Sequence, residues 1–101
     1  MIDVIRISKA LSDPIRYKIM LMLLDHESRK SSCCPSDLGG ACNCEIMAEL
    51  GLIQSRVSYH MKELSEAGLV TEEPKGKWKY YFLNMDTLKE YTQQLKADFK
   101  F

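Results

Sequence analysis

The chain has 101 residues, enough for one domain with a modest core, and its 46% apolar share excludes a disordered polymer. No run reaches the roughly 18 consecutive apolar residues of a membrane helix, and Met1-Ile2-Asp3-Val4 lacks the basic start of a secretory leader, so a cytoplasmic protein with no membrane partner is expected. The 14 basic and 14 acidic side chains cancel, so net charge gives no global support for nucleic-acid binding.

In chain order, Ile2, Ile5 and Ala10-Leu11 predict a first helix that Ser12-Asp13-Pro14 interrupts. Asp13 is suited to cap a second helix and Pro14 to occupy its first position. Ile15, Ile19, Met20, Leu23 and Leu24 recur there at helical spacing. The stretch at about 27–41 is polar and carries Cys33-Cys34-Pro35 and Gly39-Gly40. It is long against the roughly 2–8 residues usual between packed helices, so an inserted functional segment is expected.

A third helix is predicted from Asn43, which could cap it, burying Ile46, Met47 and Leu50 and ending at Gly51. A fourth spans Gln54 to Ala67 with Val57, Met61 and Leu64 inward, and Gly68 stops it. Two helices around a short glycine-containing turn are a helix-turn-helix pattern. Leu69-Val70-Thr71 and Trp78 to Leu83 read as strands around Pro74 and Gly76, which makes the unit winged. Asp86 to Phe99 is a last helix, with Leu88, Tyr91, Leu95 and Phe99 on one side. The expected fold is a single domain over 1–101, mainly α with a small β-hairpin.

At about 100° per residue, Ser55, Tyr59, Lys62 and Glu66 fall opposite the buried face of the fourth helix. Gln54 and Arg56, near its start, can reach adenine or guanine edges, while Ser55, Ser58, Tyr59 and Lys62 can bond phosphates or bases. Lys75, Lys77 and Lys79 form a local basic strip suited to the flanking backbone. His60, on the flank of the apolar stripe, reads as a packed or phosphate-touching histidine. The alternative is an ordinary solvated helix face beside a lysine-rich hairpin.

Four cysteines in a reducing compartment point to metal binding or redox chemistry before a static disulfide framework. Thiolates are soft ligands for arsenic(III), cadmium, lead, zinc or copper(I). Cys42 and Cys44 would diverge by about 200° if both were helical, so a shared site demands irregular backbone around Asn43. In a first helical turn the Cys44 thiolate is favoured by the helix dipole, which also makes it oxidisable. A disulfide switch and inert packing are therefore the competing readings.

The chain resembles the ArsR–SmtB repressors. Lys9-Ala10-Leu11-Ser12-Asp13-Pro14-Ile15-Arg16 is similar to that family's opening signature. Ser55-Arg56-Val57-Ser58-Tyr59-His60-Met61, Ala67-Gly68-Leu69-Val70 and Gly76-Lys77-Trp78-Lys79-Tyr80-Tyr81-Phe82-Leu83 are similar to its recognition helix and wing. The resemblance implies a homodimeric winged helix-turn-helix repressor that leaves operator double-stranded DNA when a metalloid or metal binds. It assigns sensing to Cys42 and Cys44 and favours arsenic(III) as inducer, with cadmium, lead or zinc as alternatives.

Met47 stands where the arsenite-type pattern has a further cysteine. Cys33 and Cys34 would then complete the set, three thiolates suiting pyramidal arsenic(III) and four a tetrahedral ion. The family's other site, built from Asp and His on the last helix, has no histidine here. Dimerisation would use Ile2, Ile5, Leu88, Tyr91 and Leu95, the alternative being packing on the chain's own core. A thiol enzyme such as an arsenate reductase is the remaining rival. It lacks support, since no cysteine has an arginine six residues later and no Cys-x-x-Cys occurs.

Overall fold

The computed structural model describes residues 2–26, 41–76 and 78–101. Helix α1 (Val4–Leu11) begins where Asp3 accepts a hydrogen bond from the Arg6 amide at 3.0 Å. Helix α2 (Pro14–His26) begins as its sequence requires: Asp13 Oδ1 accepts from the Ile15 and Arg16 amides at 2.8 and 3.2 Å, and Pro14 gives up no donor the helix could use. The buried residues of α1 are Ile7 and Ala10; Ile5, expected on the apolar stripe, is 67% exposed.

Strand β1 (Ala41–Cys42) leads directly into α3 (Asn43–Leu50), and α4 (Gln54–Glu66) follows a tight turn. Gly51 makes that turn in the left-handed region, φ +66°, with the Leu52 amide returning to the Met47 carbonyl at 3.1 Å. Gly68, also left-handed, carries the chain from α4 into β2 (Val70–Lys75). Strand β3 (Trp78–Leu83) and α5 (Met85–Phe99) complete the chain, with Asn84 accepting from the Thr87 amide.

Three sequence expectations change. The sheet is three-stranded and antiparallel, ordered β1-β3-β2, rather than a lone hairpin. β2 runs through Pro74 instead of breaking there, which an edge strand tolerates. Asn43 does not cap α3: Cys42 is the capping residue, with no side-chain bond, and Asn43 Oδ1 instead accepts a long, 3.5 Å bond from the Lys79 amide. That bond falls one step beyond the Ala41↔Tyr81 and Cys42↔Tyr80 pairs. The side chain of Asn43 thereby carries on the β1–β3 ladder while its backbone turns into α3.

Ile7, Ile19, Leu23, Ile46, Val57, Met61, Leu64 and Leu69 are fully buried in one core drawn from four helices and the start of the wing. Each such side chain contributes roughly 1.5–3 kcal/mol by leaving water. That core holds α4 against α1, α2 and α3 along one face and leaves its opposite face to solvent.

Candidate nucleic-acid interface and sulfur site

The helix-turn-helix consists of α3, the Gly51 turn and α4. Val57, His60, Met61 and Leu64 are buried, while Gln54, Ser55, Arg56, Ser58, Tyr59 and Lys62 are exposed. The exposed set forms one polar surface beginning at the first turn of α4, where donors suited to base edges and phosphates are concentrated. A groove between α4 and the sheet is lined by Ser58, Lys62 and Ser65 on one side and Glu72, Lys79 and Tyr81 on the other. Lys79 is exposed and lies 3.6 Å from the Glu72 carboxylate, so part of its charge is met within the sheet. Lys75 lies in β2, and Lys77 is outside the described residues.

Of the two readings of His60, packed or phosphate-touching, the structure shows the packed one. It is 4% exposed, and its Nδ1 lies 3.2 Å from Arg16 Nη1. The i, i+3, i+4, i+7 spacing of Val57, His60, Met61 and Leu64 places it within the buried stripe. Burial pushes its imidazole below the ordinary value. Asp13 and Glu63 work against that shift, and Arg16 and Arg56 add to it. Arg16 itself, named in the sequence only as part of a motif, emerges as a bridging residue. Its Nε donates to the Ala10 carbonyl of α1 at 2.8 Å.

Cys42 and Cys44 meet. Cys42 is extended, φ −83° and ψ 159°, and Cys44 lies in the first turn of α3. This is the irregular backbone a convergent pair requires: the Cα atoms are 5.5 Å apart and the sulfurs stand joined as a disulfide. The dithiol released by reducing that bond is the form able to bind a soft ion. Cys42 is fully buried beside Tyr80, with Cys44 and Phe82 packed against them. Met47 packs instead against the main core. Among the described residues no group of three His, Cys, Asp or Glu could hold a metal ion. Cys42 and Cys44 bring two sulfurs together, and Cys33 and Cys34 lie outside the described residues.

The α1–α5 side combines contacts within the chain and exposed apolar surface. Tyr91 shares a 2.8 Å hydrogen bond with Ser8, and Ile2, Leu88 and Tyr91 are half-buried against the chain's own core. Leu95 is half-buried, and Ile5, Phe99 and Phe101 are exposed. Phe101 carried no periodic signal that would have marked it. Among the described residues no helix is long and apolar enough to cross a membrane.

The chain is similar to the arsenical resistance operon repressor of Bacillus subtilis (strain 168). The two are 38% identical over 76 residues, which cover 75% of this chain and 61% of that protein. The match therefore spans less than two thirds of the relative's length. The cadmium metal-sensor CMTR from Mycobacterium tuberculosis is similar in structure, with 30% identity, a TM-score of 0.60, and coverage of 86% of this chain and 77% of that one. A crystal structure described as a possible transcriptional regulator for arsenical resistance superposes with a TM-score of 0.69 over 91% of this chain and 81% of its own. At 22% identity that likeness is one of fold. Residues 13–72, which run from the cap of α2 through the helix-turn-helix into the wing, match the family described as bacterial regulatory protein, arsR family. The thiol-enzyme alternative gives way to regulation: the chain belongs to the arsR family of bacterial regulatory proteins.

Proposed function

We propose that the chain is a single-domain, cytoplasmic, homodimeric repressor that binds operator double-stranded DNA and leaves it when a thiophilic metalloid, with arsenic(III) favoured, binds its cysteine thiolates. The observation that carries this reading is the meeting of Cys42 and Cys44 at the joint between β1 and α3. β1 is paired to β3 of the wing, and α3 packs against α4. A ligand holding both sulfurs therefore acts on the wing and on the helix that supports the recognition helix together.

Trivalent arsenic reacts as arsenite. Each thiol replaces one hydroxide and releases one water, so three thiols complete a pyramidal site. Cys42 and Cys44 supply two, and Cys33 or Cys34 supplies the third. Forcing the Cys42–Asn43–Cys44 backbone to fit that geometry shifts the start of α3 and misaligns α4 for the groove. In the DNA-bound state Gln54 and Arg56 read base edges, and Ser55, Ser58, Tyr59 and Lys62 meet phosphates or bases. Lys75, Lys77 and Lys79 steady the wing on the backbone. Ile2, Ile5, Leu88, Tyr91 and Leu95 contribute to the dimer face. The names of the Bacillus repressor and the mycobacterial cadmium sensor support the choice of inducer class. Cadmium, lead and zinc are the alternatives.

A second reading rests on the joined sulfurs themselves. Peroxide would take two electrons and two protons from the Cys42 and Cys44 thiols, yielding the disulfide and two waters, with the same backbone as the switch. One experiment separates the two. Reduced protein is bound to its own upstream DNA, and arsenite, cadmium, lead, zinc or peroxide is added. The measurement is repeated with Cys33→Ser, Cys34→Ser, Cys42→Ser and Cys44→Ser. Loss of arsenite response in Cys42→Ser and Cys44→Ser supports the metalloid reading. Release by arsenite from every variant sinks the sulfur site, and release by peroxide alone, reversed by a dithiol, selects the redox switch.

A further inference from the structure

His60 is the polar or charged residue buried in the core among the described residues, and it lies on the recognition helix with its side chain turned away from solvent. Its partner Arg16 connects three helices. Arg16 Nε donates to the Ala10 carbonyl near the end of α1 at 2.8 Å, its amide is held by Asp13 at the start of α2, and Nη1 reaches His60 Nδ1 on α4 at 3.2 Å. A guanidinium can only donate. The contact is therefore a hydrogen bond only when Nδ1 presents its lone pair, which makes the ring neutral with its proton on Nε2.

We infer that Arg16 is a positioning residue that ties the recognition helix to the α1–α2 junction through neutral His60, and that protonating His60 undoes the tie and weakens DNA binding. The inference rests on the DNA-binding reading and adds to it a part that no exposed residue plays. Helix α1 also carries Ile5 in its first turn, with Ile2 just ahead of it, so the tie would link the dimer face to the placement of each α4. The spacing of paired recognition helices decides whether both can enter successive major grooves. A second α1–α4 connection, the Arg6–Glu66 ion pair, is half-exposed at both ends. Solvent weakens such a surface pair, which leaves the buried contact as the stronger constraint.

The charges around His60 come from each neighbouring element. Asp13 and Arg16 belong to the α2 start, and Arg56 and Glu63 to α4 itself. Asp3, Arg6 and Lys9 line a groove together with Arg16 and Glu63, on the α1 side of those two residues. Tyr59 stands edge-on with its ring centre 5.1 Å away. Burial, reinforced by Arg16 and Arg56 and opposed by Asp13 and Glu63, keeps the ring below the ordinary histidine value of 6.5. The tied state therefore holds fewer protons than the released state. It is lost as pH falls below that ordinary value and is intact above it.

The test measures affinity for the protein's own upstream DNA from pH 8 to pH 5 in wild type and His60→Asn. Asparagine can offer an amide oxygen to Arg16 and does not titrate. Wild type should lose affinity as pH falls below 6.5, by up to about tenfold for each pKa unit that separates the tied and released rings. His60→Asn should bind at neutral pH and lose that pH dependence. Parallel pH profiles for the two proteins would overturn the inference. Nitrogen NMR of the His60 ring in wild type gives an independent readout if the variant does not fold. An Nε2–H tautomer that titrates below 6.5, together with amide shifts in α1 and α4, supports the tie. An Nδ1–H tautomer refutes it. Failure of wild type to bind DNA at any pH would defeat the DNA reading and the affinity half of this inference, while the ring spectra still decide the tie.

Discussion

Cys42 lies opposite Tyr80 in the β1–β3 register, and both side chains are buried. One of the two sulfurs is thus anchored to the wing, whereas Cys44 belongs to α3. Removing the Tyr80 ring should both open a cavity and uncover the sulfur. Tyr80→Ala is expected to cost about 3–5 kcal/mol, as truncation of large buried aromatics does, and to raise the alkylation rate of reduced Cys42. Urea unfolding and timed thiol labelling measure the two effects. Unchanged labelling would show that Tyr80 does not shield the site.

Asp13 connects α2's first turn to the ring of charges around Arg16. Burial raises its carboxyl, but the Arg16 and Ile15 amides, the Arg16 charge and His60 outweigh burial, and the group ends below 3.8. A lowered carboxyl contributes stability that is complete above the unfolded value and is lost as pH falls through the folded one. Asp13→Ala should cost about 1 kcal/mol at neutral pH, and Asp13→Ser less. Below pH 3.8 wild type and Asp13→Ala should converge in thermal unfolding. A constant gap across the acid range would rule out this account.

Gly51 has φ +66°, with nothing within 4 Å of where a Cβ would sit. The cost of Gly51→Ala is therefore one of backbone conformation, about 1–2 kcal/mol, without a clash. Gly51→Asn should recover part of it, because asparagine tolerates the left-handed region. If alanine and asparagine destabilise equally in urea, the turn has changed shape instead.

The exposed cations of α4 should divide by task. With Lys62 assigned to a phosphate under the proposed function, affinity of Lys62→Gln should fall similarly on all sequences, and the slope of log affinity against log salt should shrink by about 0.9. Arg56→Gln should cost about 1–3 kcal/mol on the operator and much less on unrelated DNA. Fluorescence anisotropy on the two duplexes, over a salt series, reads both. Equal losses for Arg56→Gln on both duplexes would move that residue to the phosphate class.

The features legible in the chain were those set by neighbouring residues. Asp13-Pro14 starts α2, Gly51 and Gly68 turn the backbone, and Val57, Met61 and Leu64 mark the inner face of α4. Features set by distant partners were not legible. Two residues, Ala41 and Cys42, carry no strand period; Tyr80 and Tyr81 make them a strand. Asn43 looked like a helix cap because its residue type favours that role, yet its oxygen is drawn to the Lys79 amide. His60 was the reverse case. Its spacing fits burial, and Arg16, 44 positions away, gives the buried imidazole a partner. Within the candidate sulfur site, the sequence required irregular backbone for Cys42 and Cys44 to meet, and the structure places it at Cys42, which is extended, with Asn43 already the first residue of α3.

Pro74 gives the wing a further property. Asn84 donates to the Leu69 carbonyl, and counting along the β2–β3 register from there puts Pro74 at a pair whose amides point away from the partner strand. The donor proline lacks is thus missing from the outer rim of the sheet, and the ladder inside is complete without it. A second wing laid against this rim would find a gap in the row of donors it needs for zippering. Crowded side by side on DNA, neighbouring copies would stay separate particles instead of fusing into a continuous ribbon.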